Sequence, residues 1–296
     1  MPSRRRLRET LRTNRSAVNR DPQTRDPVRL AHLSDIHFGR IENPKVVDTL
    51  VDEVNAEPFT LVVVSGDLTQ RAKRHQFRDA RAMLDRFTAP VLVVPGNHDV
   101  RAWWHQPIER IWRSTRRYEK LITPDLTPTF TAPGLAAFGL NSAHGLTIKG
   151  GRIRSEDLAA MEHFFAAQPP MAFRVWVLHH HLLRLEALGD HDVSRGASRG
   201  LDAAQRAGVD LVLCGHLHRS HVAAVDVARS GGAHRHRLVV ASAGTATSSR
   251  GRAENRNVNF YNWIDVQPDR FVVQERRFDA DTGRFEAVRE TPFART

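Results

Sequence analysis

The stretch VLVVPGNHDV, residues 91–100, joins a run of apolar, strand-forming residues directly to Gly96, Asn97, His98 and Asp99. Gly96 and Asn97 suit a turn, because both residue types tolerate positive φ and favour chain reversal. A turn does not account for His98. The stretch therefore predicts a buried strand whose carboxyl end carries three side chains that can bind a metal or move a proton.

Along the surrounding chain, short apolar runs alternate with helical stretches. The strand-like runs are VRLAHLS, TLVVVSG, PVLVVPG, LAAFGLN, FRVWVLH and VDLVLCG. Helices are predicted between these runs, and Pro44 and Ser155 are suitable residues to start two of them. Glu156 and Asp157 suit the positive N-terminal end of the helix that starts at Ser155. This order of elements predicts an α/β layered protein.

The sequence changes character after His218. Four strand-like segments, HVAAVDV, HRLVVASA, VNFYNWIDV and RFVVQERRF, are separated by turn-rich linkers. We expect them to form hairpins that continue a second sheet. One domain, residues 28–293, should therefore hold all of the predicted elements.

Residues 1–27 contain eight arginines against three acidic residues, and the whole chain carries a formal net charge of +11. We interpret this segment as a disordered tail. A nucleic-acid or membrane-surface arm and an organellar transit peptide are the functional alternatives. The aromatic residues typical of single-strand binders do not interleave this tail, so a nucleic-acid partner is not favoured.

Cys214 is the only cysteine, which excludes an intramolecular disulfide and predicts a reducing, cytoplasmic location. No apolar run approaches the roughly 20 residues of a membrane-spanning helix. The sequence leaves the oligomeric state open and is compatible with a homodimer.

Polar residues that can bind metal follow five of the predicted strands at the point where each ends. They are Asp35 and His37, Asp67, Asn97, His179, and His216 with His218. Ligand sites of open α/β sheets lie at the carboxyl ends of the strands, so we expect these residues to converge. In DIH and HLH the two polar residues stand at i and i+2, and an extended backbone would point both to one side.

The donor set itself indicates which metals would bind. Two Asp, four His and one Asn combine oxygen and nitrogen ligands, which suits Mn, Fe or Zn better than Mg or Ca. A carboxylate can bridge through its two oxygens, so seven residues could serve two metal ions. The sequence thus predicts a two-metal site.

The ordered motifs DIH, GD, GNHD, H and GHLH, which span Asp35 to His218, resemble the calcineurin-like metallophosphoesterase superfamily. This resemblance implies a four-layer α/β/β/α sandwich of two mixed β-sheets flanked by helices. It also implies one metal held by Asp35, His37, Asp67 and His218, and a second held by Asp67, Asn97, His179 and His216, with Asp67 bridging. His179 is preferred to His180 and His181 because it follows the strand directly.

A two-metal site of this kind would hydrolyse phosphate esters by in-line attack of a metal-bridging hydroxide. His98 would then serve as general acid for the leaving oxygen, and Asp99 would orient its ring or keep it charged. Asn141, His144 or Arg152 could contact the bound phosphate. The stretch GDHDV, residues 189–193, is interpreted as a lid or substrate loop.

The arrangement and size resemble the bacterial cyclic-nucleotide phosphodiesterase branch, which implies a small phosphodiester substrate such as 3′,5′-cyclic AMP. Within the superfamily, a repair nuclease, a sugar-lipid pyrophosphatase and a phosphomonoesterase are the alternatives. Outside enzymes, a nucleic-acid-binding protein and a scaffold protein remain open.

Overall fold

The computed structural model describes residues 27–100, 114–144, 150–227, 236–250 and 258–295. Five α-helices occur within these ranges: α1 (Pro44–Asn55), α2 (Arg74–Leu84), α3 (Arg116–Leu121), α4 (Ser155–Ala166) and α5 (Ala197–Arg206). The strands in the same ranges are β1 (Val28–Leu33), β2 (Leu61–Val64), β3 (Val91–Val93), β4 (Thr129–Ala132), β5 (Leu135–Leu140), β6 (Phe173–Leu178), β7 (Leu211–Cys214), β8 (His221–Val227), β9 (His236–Ser242), β10 (Phe260–Val266), β11 (Arg270–Asp279) and β12 (Arg284–Ala294).

The strands form two mixed sheets of six. The first has the order β12-β11-β10-β1-β2-β3, in which β1, β2 and β3 run parallel and the other pairings are antiparallel. The second has the order β4-β5-β6-β7-β9-β8, in which β5, β6, β7 and β9 run parallel. The predicted α/β class with two mixed sheets is confirmed.

Alternation along the strands explains how the sheets become layers. In β2, Leu61 and Val63 belong to an apolar cluster shared with the second sheet, whereas Val62 and Val64 pack with residues of α1 and α2. Successive strand side chains point to opposite faces, so a fully apolar strand must be covered on both. The second sheet is also covered on both faces. Trp176 of β6 packs toward α4 and α5, while Val175 faces the first sheet.

Local sequence fixes the start of α1, the helix that follows the loop of Asp35 and His37. Pro44 occupies the first turn of α1, and the Asn43 side chain caps it by accepting a hydrogen bond from the Lys45 amide (3.1 Å). The helix buries an apolar stripe that includes Leu50 and Val54 against the first sheet. The helix starts predicted at Pro44 and Ser155 are both confirmed.

The route of the chain after His218 differs from the expectation. Only β8 and β9 extend the second sheet, whereas β10, β11 and β12 return to the first sheet beside β1. The antiparallel pairing of β10 with β1 supplies the reason, since it closes an otherwise open edge of the parallel strands. Residues 1–26, most of the predicted N-terminal tail, lie outside the described residues.

Candidate metal centre

The seven predicted ligands lie together where parallel strands of both sheets end. Asp35 and His37 follow β1, Asp67 follows β2 and Asn97 follows β3, all in the first sheet. His179 directly follows β6, and His216 and His218 follow β7, in the second sheet. The site therefore straddles the two sheets, and each sheet supplies part of its ligand set.

One group of donor atoms contains Asp35, His37, Asp67 and His218, whose ligand atoms all lie within 4.8 Å of one another. The Nε2 atoms of His37 and His218 are 3.2 Å apart. Oδ1 of Asp35 lies 3.3 Å from His218 Nε2 and 3.6 Å from His37 Nε2. These donors converge on one point, as ligands of a single ion do.

A second group surrounds Asn97. Its Oδ1 lies 2.9 Å from Nδ1 of His216 and 3.2 Å from Nε2 of His179. The same His179 nitrogen is 3.3 Å from Oδ2 of Asp67. Because Asp67 Oδ2 is also 3.7 Å from His37 Nε2, Asp67 stands between the two groups.

Buried oxygens without hydrogen bonds support a cation at this position. Asp35 Oδ1 and Asp67 Oδ2 are buried and have no hydrogen-bond partner in the described part of the chain. Buried carboxylates are normally paired or coordinate metals. The residues present, with mixed nitrogen and oxygen donors, therefore fit two metal ions.

The backbone at the ligands is unusual. Asp35, His37, Asp67, His216 and His218 all have positive φ, between 53° and 71°. The extended conformation expected for DIH and HLH is thus wrong: alternate residues turn into the left-handed region, which costs energy for a residue with a Cβ. Such strain persists at sites where the surroundings hold it in place.

The ligands are held by contacts beyond the cluster. The Ser65 carbonyl accepts a hydrogen bond from Nδ1 of His179 (2.8 Å), which fixes the tautomer and leaves Nε2 toward the site. The Asp35 carbonyl accepts from the Thr245 hydroxyl (2.7 Å), and the Asp35 side chain accepts from the amide of His216 (2.9 Å). These bonds link loops that are far apart in sequence.

The electrostatics of the cluster also favour metal ligation. Burial lowers the pKa of His216 to about 3 and that of His218 to about 4, so both imidazoles are neutral, which is the ligating form. Burial alone would raise the pKa of Asp67, but neighbouring His179 and His98 hold it well below its usual range. Asp67, His216 and His218 thus stand in the protonation state that a metal requires. His179 is the exception: burial alone would lower its pKa, but Asp67 beside it raises the pKa to about 9, so this imidazole must lose a proton when it binds a metal.

His98 lies at the edge of the cluster, with its ring 4.9 Å from that of His37. Its amide donates to Asp67 Oδ1 (2.7 Å), and its Nδ1 lies 2.9 Å from the Gln70 carbonyl. The described partner of its Nε2 is Arg250, whose Nη1 is 2.8 Å away.

Asp99 makes no contact with the His98 ring among the described contacts, although the sequence predicts that it orients that ring. Its buried carboxylate accepts hydrogen bonds from the amides of Gly96, Leu68 and Thr69 and from the Thr69 hydroxyl, at 2.9 to 3.0 Å. The His98 ring is held instead by Gln70 and Arg250. Asp99 therefore clamps the loop after β2 to the loop after β3, and the expected orientation of the His98 ring by Asp99 is not what the contacts show.

The remaining predicted residues lie around the cluster in different ways. His180 packs against His216 with ring centroids 4.7 Å apart, and its Nδ1 contacts the Ser142 hydroxyl (2.8 Å). Its proximity also makes His179, His180 and His216 a geometrically possible ligand trio. His181 faces away, since its Nε2 contacts the Gly215 carbonyl (3.0 Å).

The three residues suggested as phosphate contacts have local roles in the structure. Asn141 uses its Oδ1 to accept from the Ala143 amide (2.9 Å), as in an Asx turn. Arg152 is exposed, and Arg154 contacts the His144 ring at 3.5 Å. No metal-ligand partner of Asn141, His144 or Arg152 appears among the described contacts, so their binding of phosphate stays a prediction.

Sequence reasoning missed Arg250, because the segment after β9 looked like a hairpin linker. Yet β9 runs parallel to β7, so its carboxyl end lies at the same sheet edge as His216. The strand-end rule used for the ligands would have found Arg250 had β9 been recognised as a parallel strand.

Comparison with known proteins agrees with this site. The family model described as calcineurin-like phosphoesterase matches residues 28–220, more than half of the chain. Over 84 residues the chain is 37% identical to glycerophosphodiester phosphodiesterase GpdQ of Enterobacter lignolyticus (strain SCF1). That match covers 25% of this chain and 30% of GpdQ, so the chain matches less than a third of that relative's length.

Solved structures share the fold at low identity. Purple acid phosphatase PPD1 from yellow lupin (Lupinus luteus) has a TM-score of 0.68 at 11% identity, covering 92% of this chain and 54% of that one. PhoD has a TM-score of 0.67 at 12% identity, covering 91% of this chain and 70% of that one. In the described ranges no helix is long and apolar enough to cross a membrane. Taken with the converging Asp, Asn and His ligands, the matched family model shows that this chain belongs to the calcineurin-like phosphoesterase family.

Proposed function

We propose that this protein is a metal-dependent phosphodiesterase that hydrolyses small phosphodiesters. The observation that carries the proposal is the pair of donor groups that share Asp67, in which buried oxygens of Asp35 and Asp67 have no hydrogen-bond partner among the described residues. One ion would be held by Asp35, His37, Asp67 and His218, and a second by Asp67, Asn97, His179 and His216. Two ions bound there would supply a hydroxide near neutral pH and offset negative charge on the phosphoryl oxygens.

The chain's own residues would contribute proton transfer and positioning. His98 is proposed to donate a proton to the departing ester oxygen through Nε2, because its Nδ1 is engaged by the Gln70 carbonyl. The Asp99 clamp would keep the loop of His98 in register with the loop of Asp67, since its carboxylate bonds to both. No covalent enzyme intermediate is needed.

Two classes of small diester are candidates. Cyclic nucleotides such as 3′,5′-cyclic AMP follow from the arrangement and size of the motifs. Glycerophosphodiesters are favoured by the 37% identity to GpdQ, whose name gives that activity. A cytoplasmic location forms part of the proposal because Cys214 is a buried free thiol, as is usual in reducing compartments.

The test begins with metal-free protein to which Mn, Fe, Zn or Mg is restored singly. Hydrolysis of bis(p-nitrophenyl) phosphate, p-nitrophenyl phosphate, 3′,5′-cyclic AMP and glycerophosphocholine is then compared, with Asp67→Asn as the matched variant. Metal-dependent cleavage of the diesters that is lost in Asp67→Asn would support the proposal and rank the substrates. Faster cleavage of the monoester would favour a phosphomonoesterase, and no turnover with any metal would contradict the proposal.

A further inference from the structure

Arg250 is fixed at the edge of the metal centre by the segment that leads to it. After β9, the amide of Ala246 donates to the Ser34 carbonyl (2.9 Å), and the hydroxyl of Thr247 donates to the Ile36 carbonyl (2.8 Å). Further along, Asn259 donates to the carbonyl of Ser248 (3.0 Å). The chain that carries Arg250 is therefore attached to the loop that carries Asp35 and His37.

The guanidinium of Arg250 contacts the His98 ring through Nη1, and Nε2 is the nearer of the two ring nitrogens. Its Nη1 lies 2.8 Å from His98 Nε2 and 3.4 Å from Gln70 Oε1. A guanidinium can only donate hydrogen bonds, so Nε2 is the acceptor and Nδ1 carries the proton that reaches the Gln70 carbonyl. In this arrangement Arg250 occupies the nitrogen through which His98 would contact a substrate.

A cation beside a metal site is unfavourable unless an anion lies between them. Arg250 Nη1 is 2.8 Å from His98 Nε2, and the His98 ring lies 4.9 Å from the ring of His37, so the charge of Arg250 stands beside the group of ligands around Asp35. Bound metal ions would repel it, because like charges a few ångströms apart destabilise each other outside bulk water. A phosphodiester removes this conflict, and the planar fork of arginine matches two phosphate oxygens.

We propose that Arg250 binds a non-bridging oxygen of the substrate phosphodiester and gives up His98 Nε2 when it does so. This inference rests on the proposed function, because it assigns a phosphate-binding residue to the same site. Arg250 would thus couple two events: the arriving phosphate draws the guanidinium away, and His98 Nε2 loses the donor that occupies it. The proton that His98 passes to the departing ester oxygen must then reach Nε2 from solvent, because Nδ1 keeps the proton that bonds to the Gln70 carbonyl. A substrate without an anionic phosphate would leave the Arg250–His98 contact in place.

The experiment compares Arg250→Gln and Arg250→Lys with the wild type, and uses Arg40→Gln as the matched control. Arg40 is exposed on the neighbouring loop, where its carbonyl accepts from the Ser249 amide, so its loss removes one positive charge nearby. Binding of inorganic phosphate to the Mn-loaded proteins is measured by calorimetry. Metal content is measured on the same samples, and kcat and KM for bis(p-nitrophenyl) phosphate are determined.

The loss of one charge-assisted hydrogen bond should weaken phosphate binding about 10- to 100-fold in Arg250→Gln. KM should rise with it while both metal ions stay bound. Arg250→Lys should recover part of the affinity, since it keeps the charge without the fork. Arg40→Gln should change the phosphate dissociation constant by less than about twofold, as expected of a screened surface charge.

Unchanged phosphate affinity and KM in Arg250→Gln would overturn the inference. Loss of bound metal in this variant would also overturn it, because Arg250 would then act on the ligands and not on the phosphate. A wild type that binds phosphate through Arg250 but cleaves no diester would support the anion contact while refuting the proposed phosphodiesterase activity.

Discussion

Replacing Asp99 with asparagine tests whether this residue is a clamp or part of the chemistry. Its Oδ2 accepts from the amides of Gly96 and Leu68, and its Oδ1 accepts from the amide and hydroxyl of Thr69. In Asp99→Asn an NH₂ group must replace one of these oxygens and face donors. If it replaces Oδ1, the Thr69 hydroxyl can turn to accept, but the Thr69 amide is left without a partner.

The expected loss in free energy of unfolding follows from the hydrogen bonds that Asp99→Asn breaks or weakens. One buried amide without a partner costs about 1 to 3 kcal/mol, and the remaining bonds lose their charge assistance. We therefore expect the free energy of unfolding to fall by about 3 kcal/mol. Burial and the charge of Asp67 raise the pKa of Asp99 to about 6, so measurements at pH 8 keep the wild-type carboxylate ionised.

Urea unfolding followed by tryptophan fluorescence, with buried Trp176 as a reporter, gives the free energy directly. A chelator is included so that metal binding does not contribute to the measured stability. Asp125→Asn is the control, since Asp125 is exposed and accepts from the Thr127 amide (2.9 Å); its effect should stay within about 0.5 kcal/mol. A similarly small effect in Asp99→Asn would refute the clamp, and lost activity at unchanged stability would restore the role expected from the sequence.

Four further changes separate metal binding, chemistry and stability. Mn²⁺ at about 100 times its dissociation constant should raise the free energy of unfolding by about 2.7 kcal/mol per site; thermal melts with and without EDTA check this, and superimposable melts would speak against a metal centre. Asn97→Ala should lose bound metal, which metal analysis would show. His98→Ala should keep its metal but slow turnover by roughly 10²- to 10⁴-fold, and kinetics should show the largest effect for substrates with poor leaving groups. Tyr261→Phe removes the hydroxyl bond to Glu53 (2.6 Å), far from the site, and should cost about 1 to 2 kcal/mol in urea unfolding with activity unchanged.

The sequence predicted the positions of the ligands because strand ends are visible as apolar runs followed by polar residues. Asp35, Asp67 and His179 each follow such a run, and parallel strands bring these ends to one edge. This argument needs only the order of elements and no knowledge of which strands are neighbours.

What the sequence could not predict depends on long-range pairing. Nothing in the residues of β10 states that it pairs with β1, more than 200 residues earlier, instead of with the adjacent β9. The left-handed φ of His37 and His218 was also hidden, because histidine is tolerated there but not required. For the same reason the contact between Arg250 and His98 became visible only once β9 was seen to run parallel to β7.

The division of the ligands between the two sheets has a consequence for how the protein matures. Asp35 and His216 are 181 positions apart, and the bond between them forms only when the first sheet, the second sheet and the core between them are all assembled. A chain with only one sheet folded would present at most four of the seven ligands. Each group takes ligands from both sheets, so uptake of either metal ion should be a late event, and its rate should report the completion of folding across the sheet interface. A nascent chain would acquire its full complement of metal only after β7 had been synthesised and had docked.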